Sequence, residues 1–157
     1  MEELSLKSTI KVCQKAELDE ADRQLIDVAV ESTNHSYAPH SHFHVGAAVR
    51  LANGVILPGC NQENAAFPSG ICAERSAIFA AGAQYPDQAV TAIAITARDT
   101  QGVLTKDPVS PCGTCRQVLI ETEYRFKREI RILLCGSEKI YVIEGIKTLM
   151  PLSFTEF

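Results

Sequence analysis

Between residues 18 and about 34 the apolar positions Leu18, Ala21, Leu25, Val28 and Ala29 recur at helical spacing, with Asp19 and Asp22 near the start. That pattern predicts one amphipathic helix. Residues 36–41 follow as a loop broken by Pro39, and the period then shortens. Phe43, Val45, Ala47, Val49 and Leu51 alternate along a run rich in strand formers, Asn53-Gly54 gives a two-residue hairpin signal, and residues 55–60 return as the partner strand. After a loop over 61–70, residues 72 to about 84 carry small or apolar side chains (Ala73, Ala77, Ile78, Ala80, Ala81) and predict a buried helix, with Gly82 as its expected terminator. Residues 90–97 are almost wholly apolar, as a central strand covered on both faces should be. A third helix is expected from 112 to about 126, then strands over 130–135 and 139–143. The three residues between those strands are too few for a crossover, so the pair should be antiparallel. Helix, hairpin, helix, strand, helix, hairpin predicts a single α/β domain over 1–157, a three-layer α/β/α sandwich with a mixed five-stranded sheet.

Composition changes this picture little. At 157 residues, 46% apolar and 22% charged, the chain has the balance of an ordinary globular domain. A net charge of −4 argues against a general nucleic-acid binder, which needs a basic footprint to displace counterions from phosphates. The first 14 residues interrupt every apolar run with Glu2, Glu3, Lys7 or Lys11, so no signal-peptide core is expected. No run of about 18 apolar residues exists to span a membrane. The expected compartment is the cytoplasm, where six cysteines serve better as metal ligands and core residues than as disulfides.

The chemistry concentrates in Ile71-Cys72-Ala73-Glu74-Arg75 and Pro111-Cys112-Gly113-Thr114-Cys115-Arg116-Gln117. A catalytic zinc takes three protein ligands and keeps one position open, and Cys72, Cys112 and Cys115 fit that count. Cys112 and Cys115, three residues apart, share one face of a first helical turn, whose unpaired N–H groups favour thiolates. Glu74, two residues from Cys72, is placed to reach the attacking water without ligating the metal. A lone Cys-x-x-Cys is equally a redox pair or half of a structural zinc site, and a closed site with Cys60 as fourth ligand is the alternative here. The combination of Cys-x-Glu with Pro-Cys-x-x-Cys, however, resembles the signature of the zinc deaminases. His35, His40, His42 and His44 are read as packing or solvent-facing residues, since the cysteines already complete a ligand set.

Further blocks sharpen the likeness. With Tyr37-Ala38-Pro39-His40-Ser41-His42-Phe43-His44-Val45-Gly46-Ala47-Ala48, Gly59-Cys60-Asn61-Gln62-Glu63-Asn64-Ala65-Ala66 and the ending Leu149-Met150-Pro151-Leu152-Ser153-Phe154, the chain resembles the homotetrameric, three-cysteine cytidine deaminases from about residue 37 to 154. That resemblance implies a Zn2+ enzyme acting on free cytidine and 2'-deoxycytidine, and no nucleic-acid or membrane partner. It also implies that Asn61 and Glu63 bind the sugar 3'-hydroxyl, Phe43 packs beside the nucleoside, and the Ala73 N–H binds the pyrimidine carbonyl. Phe154 would come from a neighbouring subunit to cover the base. Arg75 would draw charge from the ligand sulfurs. A carboxylate at Glu63 accepts from a free hydroxyl but repels a phosphate ester, which agrees with a nucleoside substrate. His40 and Phe67 depart from the tyrosines common in that family. A deaminase of a blasticidin-type antibiotic, a nucleotide or nucleic-acid deaminase, and a non-enzymatic zinc or thiol module are the rival readings.

Overall fold

The computed structural model describes residues 1–155 and forms three layers around one sheet. Helix α1 (Glu20–Ser32) covers one face, and α2 (Ala73–Gln84) and α3 (Gly113–Phe126) cover the other. Between them lie six strands: β1 (Lys11–Cys13), β2 (His44–Leu51), β3 (Ile56–Cys60), β4 (Val90–Arg98), β5 (Arg131–Cys135) and β6 (Ile140–Glu144). Their order is β1-β6-β5-β4-β2-β3, and every pairing is antiparallel except β4 with β5. The expected mixed sheet is therefore present, with the three-residue edge strand β1 added to the five predicted.

Alternation in the strands divides the core. Val49 and Leu51, Ile93 and Ile95, Ile132 and Leu134 face α2 and α3, whereas Ala48, Ala92, Ala94 and Leu133 face Leu25, Ile26 and Ala29 of α1. Central β4 is buried on both sides, which is why its sequence is continuously apolar.

Local chemistry sets the helix ends. Asp19 caps α1 by accepting from the Asp22 N–H at 2.8 Å, so the helix starts two residues after Leu18. Gly82 does not end α2, as the sequence suggested; the helix runs on to Gln84, and Tyr85 leaves helical geometry ahead of Pro86, as a residue before proline should. Helix α3 ends on Lys127 in the left-handed conformation, φ 48°. Gly59 decides how closely α2 approaches the sheet: a Cβ there would lie 2.5 Å from both the Ala73 O and the Ala77 N. Close seating of α2 on β3 fixes the position of its N-terminus, where Cys72 and Glu74 stand. Among the described residues, no helix is long and apolar enough to cross a membrane.

Candidate metal centre and active site

Cys72 and Cys112 occupy the N-cap positions of α2 and α3, and Cys115 lies in the first turn of α3. Both helices follow strands of one sheet, and their N-termini meet so that all three sulfurs lie within 4.8 Å of one another. Cys72 Sγ and Cys112 Sγ are 3.9 Å apart. Tetrahedral zinc–thiolate bonds of about 2.3 Å require sulfurs about 3.8 Å apart, so this donor set fits the ion. Cys115 is fully buried, Cys72 half-buried and Cys112 exposed, which leaves one side of the trio open. Cys60 is not part of the cluster; its thiol donates to the His35 carbonyl at 3.3 Å, and the closed four-cysteine reading falls.

Electrostatics at the trio favour a cation. A hydrogen bond from Cys115, and then the Arg75 guanidinium, pull the Cys72 thiol below the ordinary thiol range. Cys115 moves the opposite way because it holds the proton the two sulfurs share. A divalent ion takes the place of such protons when it binds. Arg75 donates from Nη2 to Cys72 Sγ at 3.6 Å, and its Nε is buried without a partner among the described residues. Glu74 is 4% exposed. Burial first, and the nearby Cys72 charge after it, push its carboxyl up from the usual carboxylate range.

A cavity of about 390 Å3 opens over this centre. Phe43, Asn61, Glu63, Cys72, Ala73, Glu74, Arg75 and Cys112, all singled out in the sequence, line it. Phe67 stands at its mouth, 81% exposed, with its ring centroid 6.3 Å from that of His40. Ile95, Val109 and Ser110 also line the cavity and were not anticipated. Ser110 and Val109 sit just ahead of Cys112, and that proximity was the available signal; Ile95 reads only as core. Phe154 lies away from the lining, 66% exposed, its carbonyl accepting from Gln117 Nε2 at 3.0 Å.

The polar mouth residues are engaged with the scaffold. Asn61 Oδ1 accepts from the Val45 N–H at 2.8 Å and its Nδ2 donates to the Phe43 carbonyl at 3.0 Å, so one N–H and one lone pair stay available to a ligand. Glu63 Oε2 accepts from the N–H groups of His40 (2.8 Å) and Ser41 (3.2 Å), and Oε1 from the Ser41 hydroxyl. The Ser41 hydroxyl, followed by the His40 amide, holds the Glu63 carboxyl below the usual range and keeps it charged.

A sulfur trio with a buried acid, Glu74, lining the cavity beside it, in a three-layer α/β/α domain, is the arrangement of a metal-assisted deaminase. Residues 19–128 match the model for the cytidine and deoxycytidylate deaminase zinc-binding region, and the chain belongs to that family of hydrolases. The cytidine deaminase of Halalkalibacterium halodurans is 44% identical over 101 residues, 64% of this chain and 71% of that protein. A crystal structure of cytidine deaminase from Burkholderia pseudomallei superposes with a TM-score of 0.70 at 36% identity, covering 83% of this chain and 97% of the other. The blasticidin-S deaminase of Bacillus cereus is 29% identical over 139 residues, 88% of this chain and 95% of that protein.

Proposed function

We propose that this chain, as a cytoplasmic homotetramer, hydrolyses free cytidine and 2'-deoxycytidine to uridine and 2'-deoxyuridine with release of ammonia, a step of pyrimidine salvage. The observation that carries this reading is that one cavity, lined by two sulfurs of the trio, is also lined by the buried Glu74 and the charged Glu63. Cys72, Cys112 and Cys115 would hold Zn2+, which when bound would lower the pKa of water towards neutrality. Ala73 N–H, in the first turn of α2 where no helical carbonyl can reach it, receives the pyrimidine carbonyl and orients the ring. Glu74 takes a proton from the attacking water and delivers it to ring N3. As the C4–O bond forms and the C4–N bond breaks, the same carboxyl carries the second proton to the departing amine. Glu63 and Asn61 receive the sugar 3'-hydroxyl, and Phe43 packs beside the nucleoside. Phe154 of an adjacent subunit covers the base.

Glu74→Gln should keep a full complement of zinc and lose turnover by at least about 10²–10⁴-fold. Metal analysis and ultraviolet-monitored deamination on one sample check this, and substantial turnover in the zinc-loaded variant removes Glu74 from its role. A second reading, deamination of a blasticidin-type cytosine antibiotic, is favoured by the extent of the Bacillus cereus match. Assaying cytidine, deoxycytidine, cytidine 3'-monophosphate and blasticidin S side by side separates the two. The Glu63 carboxylate predicts turnover of the free nucleosides and discrimination against a phosphate ester at the 3' position.

A further inference from the structure

Phe43 and residues of the loop 61–70 line the cavity, and the Ser41 hydroxyl is one of several groups that join that loop to residues 38–43. Ser41 Oγ donates to Glu63 Oε1 and accepts from the Phe43 N–H at 3.1 Å. His42 between them takes a left-handed backbone, φ 55°, and its N–H donates to the Ala38 carbonyl at 3.0 Å, which turns the loop so that Ser41 can reach forward to Phe43. The Phe43 carbonyl is held from the other side by Asn61 Nδ2 at 3.0 Å. Glu63 is in turn clamped by the backbone of His40 and Ser41.

We propose that Ser41 is a positioning residue for nucleoside binding, its hydroxyl fixing the Glu63 carboxylate and the Phe43 backbone relative to each other. This inference rests on the reading that Glu63 and Phe43 contact the nucleoside. Ser41 itself reaches no reacting atom. Its effect belongs to the sugar end of the site, where it bonds Glu63 and Phe43. Removal of the hydroxyl leaves Phe43 N–H without that acceptor and Glu63 with the two backbone donors only, so carboxylate and ring lose their common anchor.

The test compares zinc-loaded Ser41→Ala, Ser41→Thr and Glu63→Ala with the parent enzyme in steady-state kinetics on cytidine. Ser41→Ala should raise KM on the order of tenfold, the loss of a hydrogen bond to a charged group, with kcat close to that of the parent and zinc content and melting temperature unchanged. Ser41→Thr, which keeps the hydroxyl, should restore most of the lost affinity. If Glu63→Ala raises KM while Ser41→Ala leaves it unmoved, or if Thr fails to rescue, the positioning role is overturned and the sugar assignment stands. If Glu63→Ala leaves KM unmoved, the sugar assignment fails and the inference fails with it.

Discussion

Arg75 stands three residues after Cys72, one turn up α2, and sends its guanidinium back to that sulfur. Three thiolates around a divalent ion leave the centre formally negative, which opposes the acidity that water needs there; a cation donating to a ligand sulfur offsets part of that charge. Arg75→Gln should therefore lower kcat by about 10–100-fold in protein whose zinc stoichiometry is verified to be complete. A kcat equal to that of the parent would reduce Arg75 to a packing residue. Single residues were also where the sequence was most legible. Cys72, Cys112, Cys115 and Glu74 could be singled out because a metal and a proton carrier demand fixed residue types at fixed spacing; the three sulfurs do lie within 4.8 Å of one another, and Glu74 lines the same cavity as Cys72 and Cys112. Asn61 was harder to read: its scaffold bonds to Val45 and Phe43 depend on where β2 and β3 pair, and nothing local in the sequence encodes that.

Elements were legible in proportion to how long and periodic they are. The nine-residue β4 and the twelve to fourteen residues of each helix announced themselves, whereas β1 is three residues in a stretch broken by charges and pairs with β6 from far away in sequence. Also hidden was how α3 is tied down. Glu123, in its last turns, accepts through Oε1 from the Ile130 N–H at 2.8 Å, just before β5, and from the Ile146 N–H at 2.9 Å, just after β6. Burial raises its carboxyl above the usual range. With a folded-state pKa above the unfolded value, the folded chain binds this proton more tightly. The stabilisation is complete below the unfolded value of about 4.3 and is lost as pH rises through the folded one. Glu123→Gln keeps the acceptor and never ionises. It should melt higher than the parent near pH 8, and the gap should close below about pH 4. Thermal melts across that range check it, and a gap that stays constant with pH contradicts it. Glu123→Ala, which orphans both amides, should cost about 1–3 kcal/mol.

At the scale of the molecule, α1 is pinned to the sheet by charge as well as by packing. Asp22 is fully buried and meets Arg50 of β2 at 3.2 Å and Arg131 of β5 at 2.8 Å, so one carboxylate spans both sides of β4. This fastens the face remote from the cavity and leaves the α2–α3 face to carry the chemistry. The C-terminal segment is held on that second face: Arg116 Nη1 donates to the Leu149 carbonyl at 2.8 Å and Gln117 Nε2 to that of Phe154. Both anchors directly follow Cys115 on α3, yet the Phe154 ring is exposed and off the cavity of its own chain. The proposed cover of the base by Phe154 of an adjacent copy is open to a complementation experiment. On the proposed roles, Phe154→Ala should lack the cover and Glu74→Gln the proton carrier, so each should give a poorly active homo-oligomer. Co-expressed and assembled at random, about a quarter of the sites combine an intact Glu74 with a neighbour's Phe154, so the mixture should exceed the mean of the two parents. Light scattering on the same sample should give the mass of a tetramer. Activity equal to that mean, from an oligomer shown to contain both chains, would mean that each subunit covers its own base.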